Sequence, residues 1–132
     1  MTMIGIERTS SAVAATAAMA PRREPAPIDL VHLARQTFGS AELEREVLRL
    51  FVQQGAGLAR RIAEAKDATG RGEIAHRLKG SALAVGAVRV GRLAAALETA
   101  VAPAEVRALS VDLDRAIDEV ERFVTTLLAP AA

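Results

Sequence analysis

Apolar side chains recur along the chain at three- and four-residue intervals, in stretches broken by glycine, proline and short polar runs. That spacing repeats once per helical turn, so each stretch predicts a helix with one buried face. Ile28 to Phe38 forms a short amphipathic segment with Leu30, Leu33 and Ala34 on one side, Asp29 as its cap and Gly39 as its end. Ser40 then caps a long helix, in which Leu43, Val47, Leu50, Phe51, Leu58, Ile62 and Ala65 make the stripe and which runs to about Ala68. Gly55 and Gly57 each weaken its middle by roughly 1 kcal/mol relative to alanine, so tertiary packing must hold it there. Thr69 to Gly72 reads as a tight connection, and the helix that follows carries His76 and stops near Gly86. Another helix passes through Val90, Leu93, Leu97 and Val101. Pro103 occupies a first-turn position, and Val106, Leu109, Leu113, Ile117, Val120, Val124 and Leu127 trace the cleanest stripe of all before Pro130 closes it.

Four long helices joined by short turns, each with one apolar face, predict an all-α fold. The expected architecture is an antiparallel up-down four-helix bundle over residues 28–129, with the additional short N-terminal helix laid across one end. Residues 1–27, rich in alanine and proline, read as a disordered tail, and 130–132 as a short C-terminal one. Ala12 to Ala20 faintly resembles the end of a secretory signal, but only Arg8 precedes it, against Glu7, and alanine and threonine make a poor apolar stretch.

Composition narrows the function. Of 132 residues 51% are hydrophobic, enough for a core, yet only Phe38, Phe51 and Phe123 are aromatic, so the helices should pack closely over small and aliphatic side chains. A net charge of +1, with no basic tract interleaved with aromatics, argues against nucleic acid as a partner. No apolar stretch is long enough to span a bilayer, so no membrane partner is expected. The chain has no cysteine, and its two histidines, His32 and His76, are too far apart to form a local metal pair. A cytoplasmic monomer fits these features.

Chemistry is legible in one place, the run His-Arg-Leu-Lys-Gly-Ser-Ala from His76. On a helical wheel Ile74, Leu78, Ala82 and Val85 share the core arc, whereas His76, Lys79, Gly80 and Leu83 fall on the opposite side. The imidazole therefore points outward, which argues against a histidine satisfied inside the core. An ordinary solvated histidine is the other bland reading, and the neighbours speak against it. Lys79 places a fixed positive charge one turn away. Gly80, costly in mid-helix, leaves room for a phosphoryl group or a partner. Leu83, Gly80 and Ala87 together form a smooth landing patch, with Arg77 beside it. Five basic residues (Arg71, Arg77, Lys79, Arg89 and Arg92) stand against Glu73 alone between Arg71 and Arg92, whereas seven acidic residues face three basic ones from Glu98 to Arg122. The local field favours phosphate and disfavours the charged imidazolium.

Glu98 enters by hairpin arithmetic. Ten residues separate His76 from Gly86 and twelve separate Gly86 from Glu98, so at about 1.5 Å per residue an antiparallel return brings Glu98 level with His76. A carboxylate there accepts the Nδ1 proton and leaves Nε2 as the nucleophile. The plainer alternative is a surface glutamate making a weak ion pair, for example with Arg92.

These residues resemble the histidine phosphotransfer (HPt) domain of bacterial multistep phosphorelays. The likeness is strongest from Ala75 to Glu98, through Ala-His-Arg-Leu-Lys-Gly-Ser-Ala, Val-Gly-Ala, Leu93, Leu97 and Glu98, and a weaker helix pattern extends it over about Ile28 to Leu128. The resemblance implies that His76 is phosphorylated on Nε2, Lys79 balances the phosphate charge, Gly80 clears the approach and Glu98 bonds the other ring nitrogen. It further implies a phosphocarrier with no ATP site or cofactor of its own, exchanging phosphate with response-regulator receiver domains, which bring Mg²⁺, and served by a hybrid sensor histidine kinase. Arg77, Leu83 and Ala87 are the expected docking residues.

Two rivals remain at this point. A kinase dimerisation domain also displays a histidine on a helical bundle, but it would want an acidic residue after His76, where Arg77 stands, and a nearby proline, whereas the next is Pro103. A helical adaptor that docks receivers without being phosphorylated is the other. A hydrolytic enzyme would need a nucleophile or metal cluster beside His76, and Ser81 lies well around the helix from it.

Overall fold

A computed structural model describes residues 26–130, and all regular structure within them is helical. The short α1 (Leu30–Gln36) is followed by α2 (Ala41–Glu64), α3 (Ala68–Val85), α4 (Val88–Thr99) and α5 (Pro103–Leu128). The tail expected over 1–27 falls, up to residue 25, outside the described residues, as do 131 and 132.

Three of the helices start where a capping side chain satisfies a free N–H group of the first turn. The side chains of Asp29, Ser40 and Asp67 accept from the amides of His32, Leu43 and Gly70, capping α1, α2 and α3. Pro103 supplies the opening turn of α5, where a missing N–H costs nothing. The cap at Asp67 corrects one expectation. Thr69 to Gly72 are not a connection but the first turns of α3, and the turn between α2 and α3 is Ala65 to Asp67. Gly86 ends α3 in the left-handed conformation, at φ +82°, and its carbonyl accepts the Asp29 amide at 2.8 Å. That bond ties the chain entering α1 to the α3–α4 turn, so α1 lies against α3 at this end of the bundle.

The four long helices pack in a ring, α2 on α3, α3 on α4, α4 on α5 and α5 back on α2. The core they enclose is aliphatic, as the composition requires: Leu48, Ile62, Leu78, Leu97 and Leu113 are all fully buried, and Phe51 is the only buried aromatic among the described residues. Alanines at 75, 82 and 94 are also fully buried along the α3–α4 seam, which lets those two helices approach closely.

Several stripe residues sit elsewhere than periodicity placed them. In α2 the buried row is Leu48, Phe51, Gly55, Leu58, Ala59 and Ile62, whereas Leu43 and Leu50 are exposed. At about 100° per residue Leu50 lies some 200° around from Leu48, on the outer face. Leu30 is exposed because α1 buries a single row, through Leu33. Val101 lies beyond the end of α4 and is exposed, and Leu127 is exposed where Leu128 turns inward instead.

Candidate functional site

Helix α3 presents its inner row, Ala75, Leu78, Ala82 and Val85, to the core. That geometry sends His76 outward, and its side chain is 69% exposed. The antiparallel return of α4 brings Glu98 alongside. His76 Nδ1 lies 2.7 Å from Glu98 Oε2. A carboxylate only accepts, so Nδ1 carries a proton and donates it, and whenever the ring is neutral its lone pair is on Nε2. Lys79 joins the same carboxylate from one turn further along α3, with Nζ 2.7 Å from Glu98 Oε1. One glutamate thus holds both groups through its two oxygens.

This arrangement is partly sheltered: the side chains of Glu98 and Lys79 are 23% and 29% exposed. The Lys79 ammonium, and after it the His76 ring, hold the Glu98 carboxyl below its ordinary value of 4.5. The carboxylate therefore stays ionised at neutral pH and remains an acceptor for both groups.

Around the ring the surface is open. A Cβ placed on Gly80 would meet nothing within 4 Å, so the missing side chain leaves clear space on the exposed face of α3. On the other side of the ring an open groove of about 560 Å³ runs between the start of α3 and the end of α4, lined by Ala68, Thr69, Gly72, Glu73, His76 and Glu98. Arg77 and Leu83 are exposed on the same helix, Leu83 at 47%. Ala87, expected on the landing patch, is not there. It is fully buried, because the left-handed turn at Gly86 redirects the chain, and the Ala87 amide bonds back to the Ala82 carbonyl at 2.8 Å. A wheel drawn through α3 does not extend past that turn.

The basic cluster is also differently employed than charge counting implies. Arg89 pairs with Glu119 of α5 at 2.9 Å, and Arg71 donates to the Ala100 carbonyl at 3.0 Å, so both serve the bundle, while Lys79 is held by Glu98. The sequence reading counts Arg71 toward the positive field near His76 and places it, with Gly72, in the turn between helices. The signal for helix was there in Asp67, three residues ahead of Gly70.

A family model of the Hpt domain matches residues 46–128, more than half of the chain. The chain belongs to the Hpt domain family. The match takes in α3, α4 and α5 whole and most of α2, while α1 precedes it. No curated protein and no solved structure matches the chain. Hpt domains support histidine phosphotransfer in phosphorelays, where they meet receiver domains and kinases. Within this Hpt domain no helix among the described residues is long and apolar enough to cross a membrane, and no three His, Asp or Glu side chains gather as metal ligands.

Proposed function

We propose that this Hpt domain carries a phosphoryl group on Nε2 of His76, accepting it from the phosphorylated aspartate of one receiver domain and passing it to the aspartate of another, or from a hybrid kinase to a response regulator. The observation that carries this reading is the 2.7 Å contact between His76 Nδ1 and Glu98. It places a ring proton on Nδ1, so that in the neutral ring the nucleophilic lone pair is on Nε2, an ordering that a solvated histidine does not require.

In the forward step the Nε2 lone pair forms a bond to phosphorus while the bond from phosphorus to the receiver's aspartyl oxygen breaks, and the aspartate leaves as a carboxylate. No proton needs to move. The Nδ1 proton stays on the ring, and the positive charge that develops there faces the Glu98 carboxylate. The space over Gly80 admits the incoming group in line with Nε2. Lys79, one turn away, exchanges part of its bond with Glu98 for the phosphoryl oxygens and balances their charge. Mg²⁺ and the reacting aspartate come from the receiver, so the chain acts as a cytoplasmic phosphocarrier and not as a kinase. Arg77 and Leu83, both exposed on the helix that carries the ring, contact the receiver.

Incubation with a phosphorylated receiver tests this directly. The wild-type chain acquires an acid-labile, alkali-stable phosphoryl label, and His76→Gln keeps the helical circular dichroism spectrum but acquires none. A labelled His76→Gln variant contradicts the assignment, and an unlabelled wild type with intact receiver binding points to an adaptor.

A further inference from the structure

The helix that carries Glu98 ends beside His76, and its end is held by residues outside the reacting set. Helix α4 has no basic residue in its last turn, so its final carbonyls lack the cation that usually faces a helix C-terminus. Arg71 of α3 supplies one from across the seam, its Nη2 donating to the Ala100 carbonyl at 3.0 Å, two residues beyond Glu98. Next to it, Gly72 brings the α3 backbone against the same turn. A Cβ on Gly72 would stand 3.0 Å from the Glu98 carbonyl oxygen, a separation at which the neighbour must give by a few tenths of an ångström. Gly72 is four residues before His76, on the same face of α3, and the two line one groove with Glu98.

We infer that Arg71 and Gly72 are positioning residues, which set the height and separation of the α4 terminus so that the Glu98 carboxylate meets His76 Nδ1. Arg71 fixes α4 along its axis by capping its end. Gly72 fixes the distance between the two helices by offering no side chain. A carboxylate hydrogen bond of 2.7 Å has little slack, and a backbone displacement of a few tenths of an ångström at Glu98 is felt at the ring. Neither residue touches the reacting atoms. Their effect on transfer rests on His76 being the phosphoryl acceptor, but their effect on the ring does not.

The test therefore reads the neutral imidazole by nitrogen-15 NMR, without any phosphate or partner, in Arg71→Gln, Arg71→Lys, Gly72→Ala and Gly57→Ala. A Cβ on Gly57 meets nothing within 4 Å, so that variant controls for an added methyl in a helix. In the wild type His76 is expected in the Nδ1-protonated form. Arg71→Gln and Gly72→Ala shift a measurable share toward the Nε2-protonated form, whereas Arg71→Lys, which keeps a cationic donor, and Gly57→Ala do not. Arg71→Gln carries the decision if Gly72→Ala fails to fold, because it adds no atom to the seam. A folded Arg71→Gln with the wild-type tautomer ratio overturns the proposal, as does an equal shift in Gly57→Ala. A shifted tautomer with no phosphoryl label in any variant, wild type included, retains the positioning role and refutes the phosphocarrier reading instead.

Discussion

His76 Nδ1 and Glu98 Oε2 meet at 2.7 Å although the two residues are 22 positions apart and on different helices. The contact orders a side chain that is otherwise largely in water. It selects one tautomer of the ring, and with it which nitrogen is free to react.

Removal of the carboxylate therefore impairs the ring without harming the bundle. Glu98→Ala is expected to keep its thermal midpoint within a few degrees, since Glu98 belongs to no buried cluster, and to accept phosphate about tenfold more slowly, the scale of one exposed charge-assisted hydrogen bond. Glu98→Gln, which retains an acceptor oxygen without the charge, falls between. Stopped transfer assays with a phosphorylated receiver, alongside circular dichroism melts, separate the two effects.

The Glu98 carboxyl is held below 4.5 by Lys79 first and His76 second. A depressed carboxylate contributes stability that is fully present above its unfolded value and is lost as pH falls through its lower folded value. The contribution of this carboxylate is thus fully present above about 4.5 and is lost only as pH falls below it. Carbon-13 titration of the side-chain carboxyl checks this: its midpoint lies under 4.5 in the wild type, and Lys79→Met moves it upward, because the largest cause of the depression is gone. The same variant is expected to hold its phosphoryl group for a shorter time.

How much of this was legible beforehand differs from residue to residue. The outward aspect of His76 followed from the periodicity of α3, because its inner row is short and regular. The level of Glu98 followed from counting the two arms of a hairpin about a glycine whose left-handed φ does mark the turn. What counting along one helix does not see is which partner a helix packs against. Periodicity alone therefore puts the exposed Leu43 and Leu50 in the α2 core, and the resemblance gives Lys79 to phosphate alone, whereas in the resting protein Lys79 lies on Glu98. Ala87 failed for a related reason. A wheel presumes an unbroken axis, and the axis ends at Gly86.

That correction makes its own prediction, since Leu83 and Ala87 now have opposite roles. Leu83→Ala removes apolar surface that is 47% exposed on the helix carrying His76, so receiver affinity should fall by more than the modest loss of packing over Gly91 lowers the melting temperature. Ala87→Leu forces a larger side chain into a fully buried site and is expected to cost about 1–3 kcal/mol of stability through overpacking. Isothermal titration with a receiver and denaturant melts of both variants test the pair, and a stable Ala87→Leu with weakened docking would return Ala87 to the interface.

The central claim is tested most directly by locating the phosphorus atom. In protein labelled with nitrogen-15 at its two histidines and incubated with a phosphorylated receiver, phosphorus–nitrogen coupling should appear on Nε2 of His76 while Nδ1 remains protonated. Coupling at Nδ1, at His32, or at neither histidine would contradict the account.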